Sequence, residues 1–298
     1  MSRKAVFFLT LLAMIAFAAN SLLCRFALKS AEMDAASFTL IRVVSGAVVL
    51  WLVVRVRGGA FSLADPTARA KDNLGAGNWP SAFALFAYAA CFSYAYISLS
   101  VATGALLLFG AVQATMIGYG LWRSERLSVR QSTGLLCALV GLVVLLLPGL
   151  SAPSFRGALL MLTAGVAWGI YSLRGKSKRK SKGDAISTTA GNFLRAVPFA
   201  VVLSIATLPW SSLDHGGIAY AIASGALASG LGYAIWYSAL RELTTTSAAT
   251  VQLSVPVIAA VGGMVFLNEP MTWRLLMAAV AILGGIAFVI IPGQAASK

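Results

Sequence analysis

Gly118-Tyr-Gly-Leu-Trp122-Arg-Ser-Glu125-Arg-Leu-Ser-Val-Arg130 and Gly262-Gly-Met-Val-Phe266-Leu-Asn-Glu269-Pro-Met-Thr-Trp-Arg274 stand 144 positions apart and read as two copies of one segment. Glycine, aromatic, acid and arginine recur in the same order, with Gly118 opposite Gly262, Glu125 opposite Glu269 and Arg130 opposite Arg274. The same offset carries Gly141 onto Gly285, Pro148-Gly149 onto Pro292-Gly293, and Ala95 and Leu99 onto Ala239 and Leu243. An offset of 153 sets Arg42 on Arg195 and Ala47-Val-Val-Leu50 on Ala200-Val-Val-Leu203; one near 151 sets Phe17 on Trp168 and Ser21-Leu22 on Ser172-Leu173. Apolar residues coincide by chance, whereas charges, glycines and prolines repeated in one order do not. The chain therefore divides into two related halves, 1–150 and 151–298.

The composition says which solvent surrounds them. Of the 298 residues, 59% are hydrophobic and only 11% charged, with a mean hydropathy of +0.85. A soluble domain carries about 25% charged residues, so this chain could not coat its own apolar surface in water. About 20 mostly apolar residues cross the hydrocarbon. Such stretches fall at 4–28, 34–56, 79–98, 101–122, 128–148, 155–174, 184–207, 216–240, 244–266 and 271–291. The expected fold is all-α and integral to the membrane, with ten transmembrane helices as two five-helix repeats. Five is odd, so the second copy must insert upside down relative to the first. Inverted repeats of this kind frame a midplane site that opens to either side in turn.

The net charge of +14 is distributed as short basic runs between apolar stretches, which is a topology signal and not a nucleic-acid face. With the N-terminus inside, the segments on that side carry 17 of the 23 Lys and Arg residues, the opposite side holds Lys29, Arg156 and Arg274, and Arg25, Arg42 and Arg195 fall within spans. Both termini are expected in the cytoplasm of a bacterial inner membrane. The run from Lys176 to Lys182 serves as a topology anchor or a lipid-binding patch. Ser2-Arg3-Lys4 and the following apolar run resemble a signal peptide, but that run continues past Ala18 to Leu28 and has a counterpart in the second half, so it reads as the first span.

Several chemistries are missing. Cys24, Cys91 and Cys137 have no metal-ligand spacing, and His215 is the one histidine, so no metal site, cofactor site or H-E-x-x-H pair is expected. No G-x-S-x-G nucleophile elbow occurs. None of the nine carboxylates lies at the centre of a span. An intramembrane acid relay of the kind proton-driven carriers use is thus absent. The partners expected are a small-molecule substrate and the lipid bilayer, with no nucleic acid, for a monomer or weak homodimer.

Trp122-Arg-Ser-Glu125-Arg-Leu with Gly134 and Gly141, and Phe266-Leu-Asn-Glu269-Pro with Gly284-Gly285, resemble the repeated signature of the drug/metabolite transporter superfamily of the EamA type. The likeness extends over essentially the whole chain and includes Asn20, Trp168-Gly169, Arg42 and Arg195. Within the superfamily the chain most resembles the YddG-type aromatic amino acid exporters. That resemblance implies a secondary exporter of small metabolites by alternating access, with aromatic and other large apolar amino acids as substrates. Sugar phosphates, nucleotide sugars, drugs or a passive pore are the alternatives. The family often carries a proline in both the fourth and ninth helices; here Pro256 faces Val112, so a helix break belongs to the second half. Pro198 marks a second kink position.

Polar groups at membrane depth usually face an interior cavity. Asn20, Gln113, Asn192 and Gln252 are such groups, and their amides either hydrogen-bond a substrate or tie helices together. Tyr88, Trp168, Tyr171, Tyr233 and Trp236 offer rings with polar tips, suited to an apolar solute with a polar end. Tyr96 and Tyr237, near span ends, fit an interfacial belt. Arg42 and Arg195 are structural or contact a substrate carboxylate, and their duplication favours a structural duty repeated in each half. Gly110, Ala114 and Gly118, and Ala221, Gly225 and Ser229, form small-residue stripes for close helix packing.

Overall fold

The computed structural model describes residues 2–59, 77–123, 128–147, 152–178, 185–240, 242–243 and 251–290, and no strand occurs among them. Glu125, Arg126, Pro148-Gly149, Pro292-Gly293, Arg241 and the basic residues Arg179, Lys180 and Lys182 lie outside the described residues. The helices are α1 (Arg3–Lys29), α2 (Ala35–Gly59), α3 (Trp79–Tyr96), α4 (Val101–Trp122), α5 (Val129–Leu146), α6 (Phe155–Lys178) and α7 (Ala185–Ala206). After a short 3₁₀ turn (Leu208–Trp210) come α8, made of His215–Ala223, a π-helical stretch Ser224–Leu231 and Gly232–Leu240, then α9 (Ser254–Leu267) and α10 (Trp273–Ile290). Among the described residues, seven helices are long and apolar enough to cross a membrane, and α9 and α10 are shorter apolar helices.

Short polar side chains start these helices where the apolar runs begin. Ser2, Asn78, Ser100 and Asp214 each accept a hydrogen bond from a first-turn N–H, of α1, α3, α4 and α8. Ser128 and Gln131 form a reciprocal capping box on α5. Pro256 falls in the first turn of α9 and has no N–H to give the Gln252 carbonyl, so the helical run breaks at Leu253. α9 is 14 residues long, about 21 Å at 1.5 Å per residue. Pro198 sits inside a continuous α7 and withholds the equivalent bond from Leu194.

Packing joins the two halves helix by helix. α5 packs on α10, α2 on α7 and α4 on α9, while α3 packs on α6 as α8 does on α1, and α4 on α6 as α9 does on α1. Equivalent helices meet head to tail. The start of α5 touches the end of α10, where Arg130 lies over the Phe288 ring and Gln131 donates to the Val289 carbonyl. The start of α10 touches the end of α5, where Arg274 donates to the carbonyls of Val144 and Leu147. Between these ends a Cβ on Gly134 would stand 2.6 Å from the Gly285 oxygen, so only glycine allows the approach. Apolar side chains on the outer faces stay exposed, among them Leu136, Val140, Val280 and Met277, as expected of lipid-facing positions.

Two expectations change here. Tyr96 is fully buried against Phe92 and Gly104, in the core and not in an interfacial belt, because its ring turns inward over Gly104, where a side chain would leave no room. The small-residue stripe of α4 is not a tight seam: a Cβ added to Gly118 would meet nothing within 4 Å, and one on Gly110 would meet Ile282 at 3.6 Å. The stripe of α8 is tight, since Gly225 lies directly on Arg42 and Ser45 of α2.

Candidate functional site

A narrow cleft of about 30 Å³ lies between α1, α3, α4, α6, α8 and the residue pair preceding α9. Its wall contains Phe17, Asn20, Tyr88, Phe92, Trp168, Tyr233 and Gln252, with Ser21, Leu108, Phe109 and Ala228 between them. The cleft is too narrow here to hold a ligand, but its lining is mostly apolar with a few placed polar groups, as in small-molecule sites.

The rings are assembled by spacing on four helices, α1, α3, α6 and α8. Trp168 on α6 is the hub: its centroid is 4.9 Å from Tyr88, 5.2 Å from Tyr233 and 5.4 Å from Tyr171, the last in a stacked geometry. Tyr88 and Phe92 are one helical turn apart on α3 and touch at 5.4 Å. Phe17 of α1 meets Tyr233 and Trp236 of α8 edge-on, at 5.7 and 6.0 Å. Offset and edge-on pairs of this kind are the favoured aromatic geometries.

A polar seam runs along one side of this cage. Ser224 Oγ donates to Asn20 Oδ1 at 2.5 Å, Asn20 Nδ2 donates to the Tyr88 hydroxyl at 3.3 Å, and Arg42 Nη2 donates to the same hydroxyl at 3.0 Å. Arg42 Nε donates to Ser229 Oγ at 3.4 Å, and its guanidinium lies over Tyr88 and Phe92, 5.2 and 4.9 Å from their centroids. Ser224 and Ser229 belong to the π-helical stretch of α8, whose wider turn pushes its small residues against α2. π-helical turns frequently mark functional sites.

The end of the bundle at which α1, α3 and α9 finish and α4 starts is sealed by a buried ion pair. Arg25 Nε lies 3.2 Å from Glu269 Oε1, and both residues are buried. Arg25 Nη1 also donates to the Tyr96 and Ile97 carbonyls, at 2.7 and 3.0 Å. Glu269 Oε2 accepts the Val101 N–H at 2.7 Å, in the first turn of α4, where the helix dipole favours an anion. Asn268, at φ +51°, provides the left-handed turn that swings Glu269 back under α9. At the opposite end Arg174 donates to Ser81 and Asn78, and Asn78 N–H donates to Asn192 Oδ1.

Five of the expected site residues, Asn20, Tyr88, Trp168, Tyr233 and Gln252, border the cleft. Tyr171 and Trp236 stand behind it, against Trp168 and Phe17. Gln113 is buried in α4 outside the wall, so the two glutamines do not act as a pair. Asn192 is engaged with the Asn78 N–H and the Tyr171 hydroxyl, a tie between helices. Arg195 donates to its own helix carbonyl, Gly191 O at 3.0 Å, and is half-buried, whereas Arg42 is buried and reaches across to α3 and α8. Sequence reasoning gave Arg25 and Glu269 no role; their signal was an arginine inside an apolar span and an acid repeated in both halves. Among the described residues no cluster of metal-ligating side chains occurs.

The profile of the EamA-like transporter family matches residues 155–291. An uncharacterised protein of Pseudomonas aeruginosa is 52% identical over 300 residues, which span 100% of this chain and 99% of that one. The threonine/homoserine exporter RhtA of Salmonella typhimurium is 34% identical over 152 residues, 49% of this chain and 50% of its own. A crystal structure of a protein 18% identical in sequence superposes with a TM-score of 0.63, covering 97% of this chain and 98% of that one, a likeness of fold alone.

Proposed function

Because residues 155–291 match the EamA-like transporter family, we propose that the chain is a secondary transporter that exports small metabolites by alternating access, with aromatic and other large apolar amino acids as its substrates. The observation that carries this reading is the cleft itself: an aromatic cage around Trp168 with an amide-and-hydroxyl seam along one side. Rings stack on an apolar side chain, and the seam holds the polar end. Asn20, Tyr88, Trp168, Tyr233 and Gln252 are the contact residues in this scheme, and Tyr171 and Trp236 support the cage from behind.

Alternating access needs two copies of one unit facing opposite ways. Halves 1–150 and 151–298 are proposed as those inverted units, supported by the head-to-tail contacts of α5 with α10 and of α4 with α9. The break before Pro256 and the kink position at Pro198 are the proposed hinges. The basic-residue bias supports a bacterial inner-membrane protein with both termini in the cytoplasm. A monomer or weak homodimer running substrate down its own gradient completes the scheme, because no carboxylate sits at mid-span to relay protons. A second reading, small hydroxy amino acids, is favoured by the likeness of half the chain to a threonine/homoserine exporter.

Counterflow in proteoliposomes separates these readings. Radiolabelled phenylalanine, tryptophan and methionine are compared with threonine, homoserine, alanine and a nucleotide sugar. Saturable counterflow of the large apolar amino acids, lost in Trp168→Ala and Gln252→Ala, is expected. Flux confined to threonine and homoserine would replace the substrate class, and unsaturable flux would make the protein a pore.

A further inference from the structure

Arg42 is a buried cation without an anion. Its exposure is 2%, and its Nη1 has no hydrogen-bond partner. Among the described residues no carboxylate stands within ion-pair distance of it, and the ionisable groups that act on it are Tyr88, Tyr233 and Cys24. Two aromatic faces and two hydroxyls surround the guanidinium. Such contacts soften the desolvation of an arginine but do not neutralise it. Ionisable groups at membrane depth pair with one another or with carbonyls, as Arg25 does with Glu269 and the carbonyls of Tyr96 and Ile97.

Tyr88 connects this charge to the cleft. Its hydroxyl oxygen accepts from both Arg42 and Asn20, so its own proton is left to donate elsewhere, and Tyr88 borders the cleft. A phenol that accepts from a guanidinium is a polarised donor, stronger than one in water. Arg42 lies behind the wall, so its charge reaches the cleft through the Tyr88 hydroxyl, opposite the rings on the Trp168 side.

We propose that Arg42, acting with the Tyr88 hydroxyl, is the anion-binding end of the cleft and takes the carboxylate of the transported molecule. This rests on the transport reading for its physiological meaning. The carboxylate replaces the missing counter-ion: it accepts the Tyr88 proton and, as Tyr88 shifts, the free Nη1–H. A substrate lacking the acid brings nothing to satisfy that group, and an amine in its place meets repulsion. The arrangement selects amphipathic acids over the corresponding amides and amines, whatever their side chain.

Two arms test this on the full-length chain. In the first, purified protein in detergent is melted with indole-3-acetate or with indole-3-acetamide, which differ only in the charge of the acid end. Stabilisation by the acetate is expected, with at least about tenfold weaker binding of the amide, the difference a charged hydrogen bond makes. The acid preference should vanish in Arg42→Gln, and fall in Tyr88→Phe and Arg42→Lys, which keep the ring and the charge respectively and guard against misfolding of the glutamine variant. In the second arm, phenylalanine counterflow is competed with 3-phenylpropionate and with phenethylamine, and only the acid should compete. Equal effects of acid and amide or amine, or no effect of the acetate on the wild-type protein, would overturn the proposal. Acid-selective stabilisation with no amino acid flux would uphold the anion end while removing the amino acid substrate class proposed above.

Discussion

Removing the carboxylate of Glu269 should unseal one end of the bundle. Glu269→Ala strips partners from two buried donors at once, Arg25 Nε and the Val101 N–H. Breaking a buried pair by deleting one partner costs about 3–5 kcal/mol, and an orphaned neutral donor accounts for roughly 1–3 of that. Where both bonds form only with this end sealed, most of the loss falls on the sealed state. A bias of about 3 kcal/mol corresponds to a shift of roughly 150-fold in the ratio of sealed to unsealed forms. Glu269→Gln keeps one acceptor oxygen and should lose about half as much. Cys24 is a built-in reporter, since it is fully buried and adjacent to Arg25 in sequence. With Cys91 and Cys137 replaced by alanine, the rate at which a bulky maleimide labels Cys24 should rise in the order wild type, Glu269→Gln, Glu269→Ala. Arg25→Met combined with Glu269→Ala should cost much less than the two single losses added, because no charge is then left unpaired. Wild-type labelling in Glu269→Ala, or strict additivity in the double variant, would refute the reasoning.

Gly225→Val should cut folded yield sharply, since its first side-chain carbon would overlap Ser45 Oγ and the Arg42 carbonyl, whereas Gly118→Ala enters open space and should change the unfolding midpoint little. Asp34→Ala removes the acceptor for the Ala36, Ser37 and Ser212 N–H groups, and should cost about 1–2 kcal/mol in a detergent unfolding titration. Pro256→Ala gives residue 256 an N–H for the Gln252 carbonyl; it should raise thermal stability and slow counterflow if the break before α9 moves during transport.

Much of the architecture was legible in the chain. Apolar length and short polar caps such as Ser100 and Asp214 are local properties, and they place most of the helices within a few residues of where they are found. The offset that sets Arg130 on Arg274 is equally local to read, and both residues serve the same seam between α5 and α10. Aromatic positions on α3, α6 and α8 pointed to a cage because rings at helical spacing must share a face.

Tertiary structure alone decided the rest. Arg25 and Glu269 are 244 positions apart, and nothing local says that α1 and α9 bring them together. Gln113 and Gln252 look alike in sequence, yet one turns into packed protein and the other borders the cleft. Arg42 and Arg195 occupy matching positions, but only Arg42 is pressed between α3 and the π-helical stretch of α8. The physical reason is common to all three. Hydropathy and capping are settled between a residue and its solvent or its own turn, so they survive in the sequence. Which side chain answers a buried charge depends on which helices become neighbours, and that is settled only when the bundle packs.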